Sequence, residues 1–211
     1  MRTPPRSAVI WDMDGTLVET ATVVPDAFIE TVRRLGGRPP DRDGVVALYA
    51  VGTPHVMLGR MLAREGTAED AEEYHAALAE GASKVAVHEG IPEVLTLLRG
   101  RGVPLAVFTG NSAQAASILL GAVGLRDVFD VVIGGDEVAR AKPAPDGVLA
   151  AASALGVDIA RCLYVGDSPL DVGAAKAAGA FPVAAGWGHL YDASLDVITA
   201  ATPAEVPRFL V

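Results

Sequence analysis

The sequence predicts an α/β fold, a parallel sheet with helices on both faces, and three observations carry that reading. Short apolar runs alternate with Ala- and Leu-rich segments of helical length, acidic or small polar residues follow several of the runs, and one interval, Thr20 to Lys84, breaks the alternation. Strands that alternate with helices imply right-handed crossovers, which lay helices on both sheet faces.

Ala8 to Trp11 reads as a buried strand, too short for a helix, and closes in Asp12-Met13-Asp14-Gly15. The interval that follows carries helical signals instead. Pro25 to Leu35 sets Phe28, Val32 and Leu35 on one helical face. Pro54 to Arg64 and Ala68 to Ala79 read as further helices, with Thr53 and Thr67 as N-caps and Pro54 at the first helical position. Arg38-Pro39-Pro40-Asp41 is a break between helices. Beyond the interval the alternation resumes. Helices are expected at Ile91 to Arg101, Ser112 to Val123, Pro145 to Leu155 and Leu170 to Ala178. The strands between them are Val103 to Phe108, Val131 to Ile133 and Cys162 to Val165, with Phe181 to Ala185 as a weaker fifth.

A chain of 211 residues fits one domain, or a main domain with a smaller appendage, and can bury a substantial core. A hydrophobic fraction of 51% with only 5% aromatic residues fits a compact α/β protein built from Ala, Val and Leu. The single cysteine, Cys162, excludes an intramolecular disulfide framework and a cysteine cluster for zinc; it reads as core, and a reducing compartment fits best. Met1 to Ser7 holds no extended apolar core, and no long apolar run marks a membrane span, so the cytoplasm is the expected location and no membrane partner is expected. A net charge of -9 argues against a nucleic-acid surface, so an anionic ligand would need a local cation.

Ligands of open α/β sheets collect at the carboxyl ends of the strands. There the sequence places Asp12 and Asp14, then Thr109, Gly110 and Asn111, then Gly166, Asp167, Ser168 and Asp171, with Lys142 in a loop before a helix. A spacing of two turns Asp12 and Asp14 to the same side of a strand end. Clustered carboxylates repel and need a cation; oxygen ligands without His or Cys favour a hard ion, and Mg²⁺ where phosphate and water complete the octahedron. Lys142 and Thr109 could bind the remaining phosphoryl oxygens. The chain has three Lys against fourteen Arg, so an ammonium at 142 hints that a compact point charge is wanted. A carboxylate nucleophile gives an acyl phosphate, and a second carboxyl can protonate the leaving alkoxide and then deprotonate water.

Asp12-Met13-Asp14-Gly15-Thr16-Leu17-Val18, Thr109-Gly110-Asn111, Lys142-Pro143 and Gly166-Asp167-Ser168-Pro169-Leu170-Asp171 resemble, in order, the four motifs of the haloacid dehalogenase superfamily. The likeness is strongest to its phosphoglycolate-phosphatase and β-phosphoglucomutase branch. It implies a discontinuous Rossmann-like core of residues 1–19 and 85–211 and a small helical cap of residues 20–84. It also implies Asp12 as nucleophile and metal ligand, and Asp14 as general acid/base that lends its backbone carbonyl to Mg²⁺. Thr109, with Gly110 and Asn111, would bind phosphate; Lys142 would hold Asp12 and the phosphoryl group; Asp167 would ligate the metal, with Asp171 and Ser168 at or behind the metal site. Dehalogenases generally lack an acid at the position of Asp14. Thr109 is followed by Gly-Asn where many phosphoglycolate phosphatases carry Asn-Lys, and Trp11 stands where Phe is usual and reads as packing.

The expected activity is Mg²⁺-dependent hydrolysis of a small phosphorylated metabolite, a phosphoglycolate- or sugar-phosphate-like monoester, through a phospho-aspartyl intermediate, by a monomer or homodimer. A phosphosugar mutase is the alternative, ahead of a phospho-accepting receiver or a non-catalytic binding protein. Thr109 or Asn111 could also cap the helix that follows them. Thr53, His55 and Arg60 are candidates for reaching the substrate from the insertion, against an ordinary surface-helix reading. His75, among Glu72, Glu73 and Glu80, reads as solvated, and Gly186 and Gly188 allow Trp187 and His189 to lie in a loop near the site.

Overall fold

The strands are β1 (Ala8–Trp11), β2 (Val18–Glu19), β3 (Ala86–Val87), β4 (Leu105–Phe108), β5 (Val131–Ile133), β6 (Cys162–Gly166), β7 (Phe181–Ala185) and β8 (Thr199–Ala200). This computed structural model describes residues 6–210; residues 1–5, which include most of the segment read for a leader, and residue 211 lie outside the described residues. Six strands form one parallel sheet in the order β5-β4-β1-β6-β7-β8. Such strands are buried on both faces, which is why they appear as unbroken apolar runs.

The period of two sorts their side chains. Val9 and Trp11 pack with Leu105, Val107, Leu163 and Val165 in one cluster, while Ala8 and Ile10 pack with Ala106, Phe108, Cys162 and Tyr164 in another. Helices α5 (Ile91–Gly100) and α6 (Ala113–Ala122) cover the first face, and α7 (Asp146–Ala154) and α8 (Pro169–Ala178) the second. The expected sheet with helices on both faces is therefore the observed one. β4 begins at Leu105 instead of Val103 because Pro104 has no N–H to give a ladder; its carbonyl accepts from the Val9 N–H at 3.1 Å. β8 was not expected, and two residues carry no readable period.

Between β2 and β3 lie α1 (Val23–Arg34), α2 (Arg42–Val46), α3 (Pro54–Met61) and α4 (Ala68–Gly81). β2 and β3 pair antiparallel, Val18 opposite Val87 and Glu19 opposite Ala86, so the chain leaves for these helices and returns from them side by side. Phe28 of α1 stacks on Tyr74 of α4 with ring centroids 4.3 Å apart. Thr67 caps α4 in a capping box with Asp70. Thr53 precedes α3 in an extended conformation but makes no cap bond, its hydroxyl lying 3.0 Å from His55 Nδ1. α3 stops at Met61, short of Arg64: Ala63 adopts φ +54°, and Arg64 turns to Asp70 in a bidentate pair at 2.6 Å. The short α2 grows out of the Arg38–Asp41 break, with the Asp41 carboxylate accepting from the Gly44 N–H at 2.9 Å. Among the described residues no helix is long and apolar enough to cross a membrane.

Candidate active site

β1, β4 and β6 are neighbours in the sheet, so the residues that follow them converge on one rim. The Asp12 N–H extends the ladder by donating to the Val165 carbonyl at 2.8 Å. The chain then reverses: Gly15 at φ +80° donates to the Val18 carbonyl at 2.9 Å, and the Leu17 and Val18 N–H groups both donate to the Met13 carbonyl. Asp12, Asp14, Thr109, Gly110, Asn111, Lys142, Asp167, Ser168 and Asp171 all line one pocket of about 770 Å³, its solvent-open mouth included.

Lys142 is the electrostatic centre. Its Nζ lies 2.5 Å from Asp12 Oδ1 and 2.7 Å from Asp171 Oδ1, 7% exposed. Burial alone would lower the Lys142 pKa, but Asp12 and Asp171 outweigh it and hold the ammonium charged. Both oxygens of Asp171 are committed. Oδ1 also accepts from the Tyr164 hydroxyl at 3.1 Å, and Oδ2 accepts from the Ser168 N–H at 3.0 Å and hydroxyl at 2.5 Å, the capping box that starts α8. Asp171 is thus placed to hold Lys142 and the helix start.

The other acids are less satisfied. Asp167 Oδ2 accepts from the Leu190 N–H at 3.0 Å, while Asp167 Oδ1 and Asp14 Oδ1 are buried without a hydrogen-bond partner in the protein. A buried polar atom left unpaired costs about 1–3 kcal/mol, so two in one pocket mark a place for a ligand. Burial, then the neighbouring Asp171, raises the Asp167 pKa to about 7. Burial, then Asp171, also pushes the Asp12 carboxyl well up, against the pull of Lys142. Burial raises Asp14 too, although the Thr109 hydroxyl donates to its Oδ2 at 3.2 Å. Carboxylate oxygens of Asp12, Asp167 and Asp171 lie within 4.8 Å of one another. Oxygen-only donors, a protein-orphaned oxygen on Asp167 and the raised pKa values of Asp12 and Asp167, due first to burial and then to the neighbouring carboxylate, all fit a hard divalent cation. The Asp14 carboxylate stands outside that group.

Several positions differ from the sequence reading. Ser112, not Thr109 or Asn111, caps α6, its hydroxyl accepting from the Ala115 N–H at 3.2 Å. The Thr109 hydroxyl accepts instead from the Asn111 N–H at 3.0 Å. His75 is not solvated: it is 8% exposed, with Nε2 2.7 Å from Ser112 Oγ. Beside it the Tyr74 hydroxyl meets the Asn111 side chain, accepting from its Nδ2 at 3.1 Å. Thr53 is buried while His55 and Arg60 are exposed, and none of the three lines the pocket. The loop after β7 does reach it: His189 lines the wall with Nδ1 3.8 Å from Asp167 Oδ2, and Trp187 Nε1 donates to the Thr16 carbonyl at 2.9 Å. A Cβ on Gly188 would come within 2.1 Å of Asp167 Cβ, so only glycine allows this approach. Tyr164 went unread because an aromatic in an apolar strand looks like core; the signal was its hydroxyl, which a buried Tyr must pair. Val24, Tyr49 and Met57 of the pocket wall were equally unread, and Phe28 was read only as part of a helical face.

A family model described as haloacid dehalogenase-like hydrolase matches residues 7–179. The chain is 38% identical over 193 residues to a probable phosphatase, IndB, of Dickeya dadantii, covering 87% of this chain and 83% of that protein. It is 35% identical over 194 residues to a phosphoglycolate phosphatase of Rhodospirillum rubrum, covering 86% and 80%. Among solved structures it is similar to CbbY from Rhodobacter sphaeroides in complex with phosphate, with a TM-score of 0.85 at 27% identity over 97% of this chain and 99% of that one. Matched over most of its length in sequence and in fold, this chain belongs to the haloacid dehalogenase-like hydrolase family.

Proposed function

We propose that the protein is a Mg²⁺-dependent phosphatase that hydrolyses a small phosphomonoester through a phospho-aspartyl intermediate on Asp12. The observation that carries this reading is the pairing of Asp12 with Lys142 at 2.5 Å in a pocket where Asp14 keeps a free, buried oxygen. Asp12 and Asp167, with the Asp14 backbone carbonyl, would hold the cation, which when bound neutralises phosphate charge. Lys142 orients the Asp12 carboxylate and offers its remaining N–H to a phosphoryl oxygen. Asp12 attacks phosphorus, the bond to the leaving oxygen breaks, and Asp14, whose raised pKa favours the protonated form, gives that oxygen its proton. Asp14 then takes a proton from water as it attacks the acyl phosphate, freeing Asp12 and phosphate.

The helices of residues 20–84 fit a cap that closes the pocket, since Val24, Phe28, Tyr49 and Met57 line it together with the core residues. Core residues 1–19 and 85–211 would carry the chemistry. The test is phosphate release from a panel of phosphomonoesters with Mg²⁺ and with excess chelator. Release should need the metal and fall by at least about 10²-fold in Asp12→Asn and in Asp14→Asn. Turnover that survives chelation, or near-wild-type rates in either variant, would refute the reading.

A further inference from the structure

The apolar part of the pocket lining, contributed by residues 20–84, is not built to receive an anion. Val24, Phe28, Tyr49, Pro54 and Met57 form it, and among the described residues that line the pocket Lys142 is the sole Lys or Arg. That ammonium is already held by Asp12 and Asp171 at 2.5 and 2.7 Å. Four carboxylates, those of Asp12, Asp14, Asp167 and Asp171, share the same space. His189 is the other lining side chain able to become cationic, and its Nδ1 already faces Asp167 Oδ2 at 3.8 Å. Arg60, the nearest arginine in sequence to the lining residue Met57, is exposed and outside the lining.

Resting on the phosphatase reading above, we propose that the site selects phosphomonoesters whose leaving group is uncharged and partly apolar, and rejects those carrying a second anion. A carboxylate or second phosphate on the leaving group would lose its water against Val24, Phe28 and Met57 without gaining a cation. It would also sit beside acids whose positive partners, Lys142 and the bound cation, are both taken up at the phosphoryl end. An uncharged group instead buries apolar surface on the same side chains. Tyr49 supplies one polar contact: burial, then Asp14 and Asp167, raises its pKa, so its hydroxyl stays neutral and can donate or accept. Phosphoglycolate, for which several relatives are named, is on this reading a poor substrate here.

The test compares pairs that differ in charge alone. Phosphate release by the Mg²⁺-loaded enzyme is measured at neutral pH with 2-phosphoglycolate against 2-phosphoglycolamide, and with 4-carboxyphenyl phosphate against its carboxamide. In each pair that is turned over, kcat/KM for the neutral member should exceed that of the acid by about tenfold or more. A smaller ratio overturns the proposal while leaving the phosphatase reading intact. No release from any of the four compounds, by protein that melts cooperatively, overturns the phosphatase reading and the proposal together.

Discussion

Lys142 Nζ lies 2.7 Å from Asp171 Oδ1, and Asp171 is in turn fixed by Tyr164 and by Ser168 at the start of α8. The cation that holds Asp12 is thus anchored through a helix cap, so stability and catalysis should separate between the two acids.

Asp171→Asn leaves one oxygen where two were in use, and the remaining carbonyl cannot serve both Lys142 and the Ser168 cap. A loss of about 2 kcal/mol of stability is expected, seen as a lower melting temperature, together with reduced turnover. Asp12→Asn should do the opposite to stability. Its carboxyl is pushed up by burial and by Asp171, so a neutral side chain relieves a cost, and the metal-free variant should melt no lower than the wild type while losing turnover.

The rim acids were legible in the sequence because two rules act together: fully buried parallel strands are continuous apolar runs, and sites collect where such runs end. Ala8–Trp11 and Cys162–Gly166 show both. Elements without a period stayed hidden. β2, β3 and β8 have two residues each, and α2 has five, begun by the Asp41 cap. The apolar part of the pocket lining was invisible for a different reason. Val24, Phe28 and Met57 are buried apolar residues of helices, and sequence alone does not tell a cavity lining from a core. His75 misled because Glu72, Glu73 and Glu80 share its helix, whereas Tyr74 and Leu78, on the covered face, are fully buried.

Metal-free protein should become less stable as pH rises towards neutrality. Asp167 has a folded pKa of about 7 against an ordinary value of 3.8, so the folded state binds the proton more tightly. Its contribution is fully present below about pH 4 and is lost as pH rises through about 7. Melting temperatures in chelator across that range should slope downward, and the slope should be shallower in Asp167→Asn. A slope unchanged in the variant would assign the effect to another group.

Adding Mg²⁺ should reverse the loss. A cation that binds the folded state alone raises stability with its concentration, by about 2.7 kcal/mol at a hundredfold excess over its dissociation constant. Melting temperature should climb with Mg²⁺ in the wild type and stay nearly flat in Asp167→Asn, because that variant lacks the oxygen left free for a ligand. Equal climbs in both would place the ion elsewhere.

The contact between α4 and the loop after β4 should show itself through pH. Tyr74 meets the Asn111 side chain, and His75 Nε2 lies 2.7 Å from Ser112 Oγ, which already accepts the Ala115 N–H. The Ser112 hydroxyl is therefore best placed to donate to an unprotonated Nε2. Burial lowers the His75 pKa from 6.5, although Glu72 and Asp136 pull the other way, so the contact stabilises above 6.5 and is lost as pH falls through the lower folded value. Each link is worth about 1 kcal/mol, and Tyr74→Phe should lower kcat/KM by about fivefold as the apolar lining loosens over the pocket. In His75→Leu the same loss should appear at neutral pH, and the acid-side decline of stability should become shallower than in the wild type. Parallel pH curves for wild type and His75→Leu would show that this histidine packs without taking part in any proton-linked closure.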